Sequence, residues 1–487
     1  MRALRCSAAP SIWTTWSPNL SPPTPQRSAA RLTLTAFRRS ASRLTQLDFV
    51  LLSIYWVAIG YLWNSLGGLI LPNLVEQLVG NAHKGAALGV LEGIGSLMAV
   101  VWQPIVGAYS DRTRTRFGRR HPFIAIGTVG DVIFLVGIAL SGSYWLVVVF
   151  YFLLQTSSNT AQGPYQGLLP DVVPEDQRGV ASGYYGISNV LGLLLGTVGA
   201  GYILAHAGRT AALLSICVVL LVTMLPTVLL VPDRAEPKDT QFKSAWEGIR
   251  TTFTRPLGHR SFLWLVTSRL LILMGLGGVQ SFVYFYFSDA FFNHDAKATT
   301  TATYTLLGIV IITAFLISLP AARLSDRVGR KPLIMAGGLL GAAGVLALIF
   351  SHYELLPAAI LDPIASAFHV PVLAAQATLV GLLIGIGYGL FFSVDWAFIQ
   401  DVIPPHEGGL YMGFSNIATA GAGIIAVFIG GPILDTFNAG PRLLGLPGGF
   451  PVVFGLFAVW FVIGSLSILK VPEKRAPLLF AQSGCGS

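Results

Sequence analysis

Charge is what this sequence has least of. Asp, Glu, Lys and Arg make up 11% of its 487 residues, where a soluble domain carries about 25%. A chain so poor in charge cannot cover a water-facing surface, which excludes a soluble globular protein. Cysteine is equally scarce: Cys6, Cys217 and Cys485 are odd in number and far apart, leaving no disulfide framework and no cysteine-based metal site. The phosphate-loop pattern Gly-x-x-x-x-Gly-Lys-Ser/Thr is missing, and with it the sequence basis for an ATP-driven pump. Asp171, Glu175 and Asp176 are the one compact acid cluster, so a polytopic membrane enzyme, the alternative of a different class, has little to work with. No metal, cofactor or catalytic residue is predicted. The net charge of +9 does not point to nucleic acid, because the cations sit in short loops between apolar runs, as membrane topology requires.

What the sequence has in abundance is apolar. Hydrophobic residues reach 53% and glycines number 54, the mean hydropathy is +0.68, and glycine lets helices approach closely in lipid. Runs of spanning length, roughly 17 to 25 residues, fall near 49–71, 86–108, 122–141, 144–168, 179–204 and 210–231. Six more fall near 262–288, 302–322, 332–351, 372–398, 409–434 and 450–470. Lipid admits them only as helices, since backbone polar groups find no water there. The predicted fold class is therefore all-α integral membrane, with twelve transmembrane helices in two pseudo-symmetric six-helix bundles. The expected divisions are a disordered basic N-terminal tail (1–47), an N-terminal bundle (48–231), a polar cytoplasmic linker (232–261), a C-terminal bundle (262–471) and a C-terminal tail (472–487). The first 46 residues hold seven Arg and no acid. That composition is shared by organellar transit peptides, disordered tails and a start assigned too far upstream, and no signal-peptide pattern is present.

Twelve spans put 26 of the 31 Lys and Arg on one side and four, Lys84, Arg209, Lys297 and Arg442, on the other, with Arg269 inside a span. The asymmetry predicts a multi-pass protein of the plasma membrane with both termini cytoplasmic. The halves also resemble each other. LLPDVVPEDQRGVASGYYGI (168–187) aligns without gaps on FIQDVIPPHEGGLYMGFSNI (398–417), and the Asp111-Arg112 pair is echoed by Asp326-Arg327. Two parallel six-helix repeats imply a pseudo-twofold along the membrane normal and a central cavity.

The loop after the second span carries Gly107, Asp111, Arg112, Gly118, Arg119 and Arg120, echoed by Asp326, Arg327, Gly329, Arg330 and Lys331. An aspartate at a helix end can accept from Arg and from exposed amides, making a latch that breaks and reforms as the halves rock. This pattern resembles the signature of the major facilitator superfamily, over the whole chain from about residue 48. WQPIVGAYSDRTRTRFGRRHPFI (102–124) and NTAQGPYQGLLPD (159–171) are similar to stretches of one branch, the glycoside-cation symporters that include plant sucrose-proton symporters and their animal and bacterial relatives. Asn159, Gln162, Gly163, Pro164 and Asp171 carry over from it. The resemblance implies a sugar or glycoside substrate, proton coupling, alternating access and a monomer in the lipid bilayer. Where the plant proteins have an acid and an arginine important to coupling or sugar binding, this chain has Gln155 and Gln166, which leaves sucrose and the plant coupling mechanism open. A carrier of another small solute, as uniporter or exporter, is the nearer alternative.

Charges inside spans cost about 2.5 to 3.5 kcal/mol each, so Glu92, Asp131, Arg269 and Asp395 need partners or a wet cavity. They are candidates for coupling or substrate binding, and equally for structural ion pairs. Arg269 in particular is expected to have an acidic partner, because a guanidinium does not shed its proton. Asn64, Gln103, Gln155, Asn159, Gln162, Gln166, Gln280 and Asn416 are the uncharged polar candidates, able to bond hydroxyls. Trp63, Trp102, Tyr284, Tyr286, Tyr388 and Trp396 could offer aromatic faces. His83 stands in the first outer loop, where the plant symporters also have a histidine.

Overall fold

A computed structural model describes residues 43–113, 115–233, 254, 256–368, 370–403 and 408–472. Within these, twelve long helices run α1 (Gln46–Val79), α2 (Lys84–Arg112), α3 (His121–Leu140), α4 (Tyr144–Val172), α5 (178–207) and α6 (209–230), then α7 (Arg260–Ala290), α8 (Ala296–Val328), α9 (Arg330–Phe350), α10 (Val372–Val402), α11 (Gly408–Asn438) and α12 (Gly449–Ser467). The protein is all-α and membrane-spanning. Nine described segments qualify as spans by length and hydropathy, one of them the 53-residue run that holds both α5 and α6. α2 and α4, at 29 residues each, are also long enough to span. The polar linker expected at 232–261 lies largely outside the described residues.

Local sequence sets the helix ends. α1 starts in a capping box: the Thr45 amide donates to Asp48 at 2.8 Å, and the Thr45 hydroxyl accepts the Asp48 amide at 3.4 Å. α5 and α6 part at Gly208, whose φ of 82° is open to glycine and strained for other residues. Asp295 caps α8 by accepting the amides of Lys297 and Ala298 at 2.9 and 3.1 Å. The long loop between α9 and α10, the main insertion between the repeats, folds into a short helix, Ala358–Phe368.

Packing repeats with the sequence. α1 packs on α5 and α6, α2 on α4, α3 on α4 and α6; α7 packs on α11 and α12, α8 on α10, α9 on α10 and α12. Each contact recurs six helices later, as a pseudo-twofold requires. The halves meet through two matching seams, α2 with α11 and α5 with α8. In the first seam the backbones touch: a Cβ added at Gly431 would strike the Gly85 carbonyl oxygen. This contact lies near the face holding few cations, hereafter the sparse face; the other is the basic face.

Candidate functional site

Where the seams converge, a narrow cleft of about 60 Å³ lies between the halves, well below the roughly 300–1,000 Å³ typical of small-molecule sites. Asn64 and Thr197 come from the first half, Gln280 and Tyr388 from the second, among eight aliphatic side chains including Leu276, Leu307 and Ile384. The Gln280 amide donates to Asn64 Oδ1 at 3.3 Å, joining the halves across the cleft. Two local irregularities lie beside the first-half groups. α1 has a π-turn at Leu66–Ile70, just after Asn64, and α5 has one at Leu195–Gly199 that includes Thr197. Such turns rotate the helix face that follows, and they recur at functional sites.

Further along α10 from Tyr388 lies a buried ion pair. Arg269 of α7 is ion-paired through Nη1 to Asp395 Oδ2 of α10, both side chains 2% exposed. Its Nε and Nη2 donate to the Thr419 hydroxyl of α11 at 3.1 and 2.8 Å, and the Trp396 ring lies 5.0 Å from the guanidinium carbon. The acidic partner that burial of a guanidinium demands is thus Asp395, not Glu92 or Asp131. Asp131 accepts the Ser157 hydroxyl between α3 and α4, and one buried carboxylate oxygen of Glu92 has no hydrogen-bond partner.

The remaining polar candidates lie along α4. The Gln155 amide donates to the Tyr151 hydroxyl at 3.0 Å, and Asn159 donates to Gln155 Oε1 at 3.3 Å; both amide side chains are buried. Gln103 donates to Gln166 at 3.2 Å across the α2–α4 contact, nearer the basic face. Gln162 is half-buried on α4. The side chain of Asn416 lies outside the described residues. Of the aromatic candidates, Trp102 donates to Thr160 at 2.8 Å, and Tyr284 accepts from Asn73 at 2.6 Å across the halves.

On the basic face, Arg120 binds Asp111 at 2.7 Å and Asp171 at 2.5 Å, and Arg119 binds Asp171 at 2.5 Å. Asp233 accepts the amides of Arg120 and His121 at 2.6 and 2.9 Å. Gly118 sits against it with φ of 98°, and a Cβ there would strike the Asp233 carboxylate. Arg112 is exposed on the same helix end, and Gly107 has open space where a Cβ would project. These ties lie within the first half. In the second half Arg330 binds Asp401 at 2.5 Å, the counterpart of Arg120 with Asp171, while Asp326 and Arg327 are exposed.

A second cluster went unread in the sequence. Counting charge for topology places Lys84 in an exposed loop, but the structure buries it completely. Its ammonium binds Glu76 of α1 at 2.7 Å and Asp289 of α7 at 2.6 Å. Ser288 and the His294 ring also reach Glu76, at 2.8 and 3.2 Å, and Asn81 meets His294 at 3.0 Å. Glu76, Asp289 and His294 have the donor set of a metal site, yet the Lys84 ammonium already bridges the two carboxylates. Asp435 of α11 accepts the amides of Gly85 and Ala86 at 2.9 and 2.7 Å. Together these contacts close the sparse face. His83, beside them, is an exposed loop residue.

The sequence matches the Major Facilitator Superfamily profile over residues 45–427 and again over 318–482. It is 25% identical to sucrose transport protein SUT5 of Oryza sativa subsp. japonica, across 82% of this chain and 83% of that protein. Among solved structures, nucleoside transporter NupG superposes with a TM-score of 0.63 at 14% identity, covering 88% of this chain and 100% of that one. A D-xylose-proton symporter gives 0.64 at 17% identity, covering 87% and 97%. With the repeat, the twelve helices and a profile match over most of its length, the chain belongs to the Major Facilitator Superfamily.

Proposed function

We propose that this protein is a secondary active carrier that moves a sugar or glycoside by alternating access, in symport with protons. The observation that carries the reading is the cleft: four polar side chains from both halves converge there, and among the described residues side-chain and backbone contacts lock the two bundles together at the sparse face. Such a lock is made to be broken, and breaking it while closing the basic face would present the cleft to the other side. The likeness to a sucrose transport protein, and the fold shared with a D-xylose-proton symporter, support sugar as the substrate class. The charge asymmetry supports a basic face that is cytoplasmic, with both termini there, in the plasma membrane. The bundles are read as residues 48–231 and 262–471, joined by a cytoplasmic linker, in a monomer that works as a carrier and not as an enzyme.

The test is uptake by purified protein in liposomes of radiolabelled sucrose, D-xylose and uridine, with an imposed inward proton gradient. Saturable accumulation of a sugar that collapses with the gradient is the expected result. Accumulation of uridine alone removes the sugar reading, and equilibration of a sugar without accumulation makes the protein a uniporter.

A further inference from the structure

The Arg269–Asp395 pair is built unlike a simple structural ion pair. Only one oxygen of Asp395 faces the guanidinium; the other, Oδ1, is buried and has no hydrogen-bond partner. The guanidinium, for its part, is held twice over. Two of its nitrogens donate to Thr419, and its plane lies near the Trp396 ring, so neither support depends on the carboxylate.

A carboxylate that carries a proton across a membrane must be stable in two charge states. When it is ionised it needs a buried cation beside it, and Arg269 supplies one. When it is neutral, that cation loses its counter-charge and needs other support in a low-dielectric site; Thr419 and Trp396 supply that. The unpartnered Oδ1 is the oxygen free to take the proton. Asp131 and Glu92 offer no such arrangement, for among the described residues neither forms an ion pair.

We propose that Asp395 is the carboxylate that takes up and releases the coupling proton, with Arg269 as its counter-ion and Tyr388 as the link to the cleft. The assignment rests on the proton-driven reading above. In one step Oδ1 of the carboxylate gains a proton from water on one side; in the reverse step the O–H bond breaks and the proton passes to water on the other. Tyr388 lies seven residues from Asp395 on the same face of α10, about 10 Å along the axis. It lines the cleft. Sugar bound against Tyr388 therefore acts on the helix that carries Asp395.

The other charges on elements packed against α10 sit at its ends. Arg323, Asp326 and Arg327 occupy the last turns of α8, and Arg330 and Lys331 the first turn of α9. Arg330 is engaged with Asp401, six residues or about 9 Å further along α10. Asp362 lies on the short helix at the opposite end, and Lys297 starts α8 there. Arg269 is the cation in contact with Asp395.

Two readouts test this on the full-length protein. The first is proton-driven accumulation against counterflow, with sucrose and D-xylose as probes. The second needs no sugar: the part of the emission of the ten tryptophans that is lost in Trp396→Phe, followed against pH. In the wild type this part should change with pH, and Asp395→Asn should abolish the change. The same variant should lose accumulation and keep counterflow. A pH-dependent Trp396 signal that persists in Asp395→Asn, its absence from the wild type, or undiminished accumulation in Asp395→Asn overturns the proposal. If Asp395→Asn is not monodisperse, Asp395→Glu replaces it; a moved midpoint supports the assignment and an unmoved one overturns it. A wild type that accumulates neither sugar but shows the Asp395-dependent signal sinks the sugar reading alone.

Discussion

Asp435 and Ala86 belong to different halves, and the carboxylate of the first accepts the backbone amide of the second at 2.7 Å. The amino end of α2 is therefore capped by α11, since the side chain of His83 at its own cap position makes no capping bond. Opening the sparse face must uncap a helix as well as part Lys84 from Asp289.

Removing this cap should loosen the closed face. Loss of an N-cap side chain costs about 0.5–2 kcal/mol, which lowers the closed-to-open ratio roughly 2- to 30-fold. In Asp435→Ala, a single cysteine placed at Asn73, buried in the structure, should react faster with an impermeant thiol reagent added from the sparse face. An unchanged rate would mean the cap is incidental.

Gly431 should tolerate no side chain. A methyl group there would strike the Gly85 carbonyl oxygen, and backbone cannot yield as a flexible side chain can. Overpacking of this kind costs about 1–3 kcal/mol, so Gly431→Ala should populate the closed sparse face roughly 5- to 150-fold less and lose most transport while remaining in the membrane. Wild-type uptake by this variant contradicts the seam.

On the basic face the two acids should differ. Among the described ion pairs Asp111 meets Arg120, which keeps Asp171 when Asp111 is gone, whereas Asp171 meets both Arg119 and Arg120. Asp111→Asn should impair uptake without loss of the protein from the membrane, at a cost of about 1.5–3 kcal/mol for one charge-assisted bond. Asp171→Asn, leaving two buried guanidinium groups short of a partner, should impair it further. Equal effects at equal expression would show that Arg120 does not bridge them.

Membrane sidedness can be read from three exposed positions. Single cysteines at Lys297 and Arg442 should label from outside intact cells, and one at Arg116 only after permeabilisation. Any one of them on the wrong side breaks the twelve-helix orientation.

Much of the fold was legible because it is written locally. Apolar runs give the spans, and the repeat of residues 168–187 at 398–417 foretells contacts that recur six helices on. The need of Arg269 for an acid was legible too, from the cost of a buried guanidinium. Which acid was not, because α7 meets α10 only through tertiary packing. The lock at the sparse face escaped for two reasons. Topology is counted in cations, so Glu76, Asp289 and Asp435 at the ends of apolar runs passed unweighed. Lys84, counted as a loop charge, is buried by residues 205 positions away. Thr197 and Thr419 carry no sequence signal above that of any helical threonine.

The most direct test of the central claim, that the two faces close in turn, is a pair of distances measured in one reconstituted protein. Spin labels at Ala82 and Lys297 report the sparse face, and labels at Arg116 and Val328, also exposed, report the basic face. With sugar and a proton gradient present, the first distance should lengthen as the second shortens. Two distances that stay fixed, or that move in the same direction, would contradict alternating access in this protein.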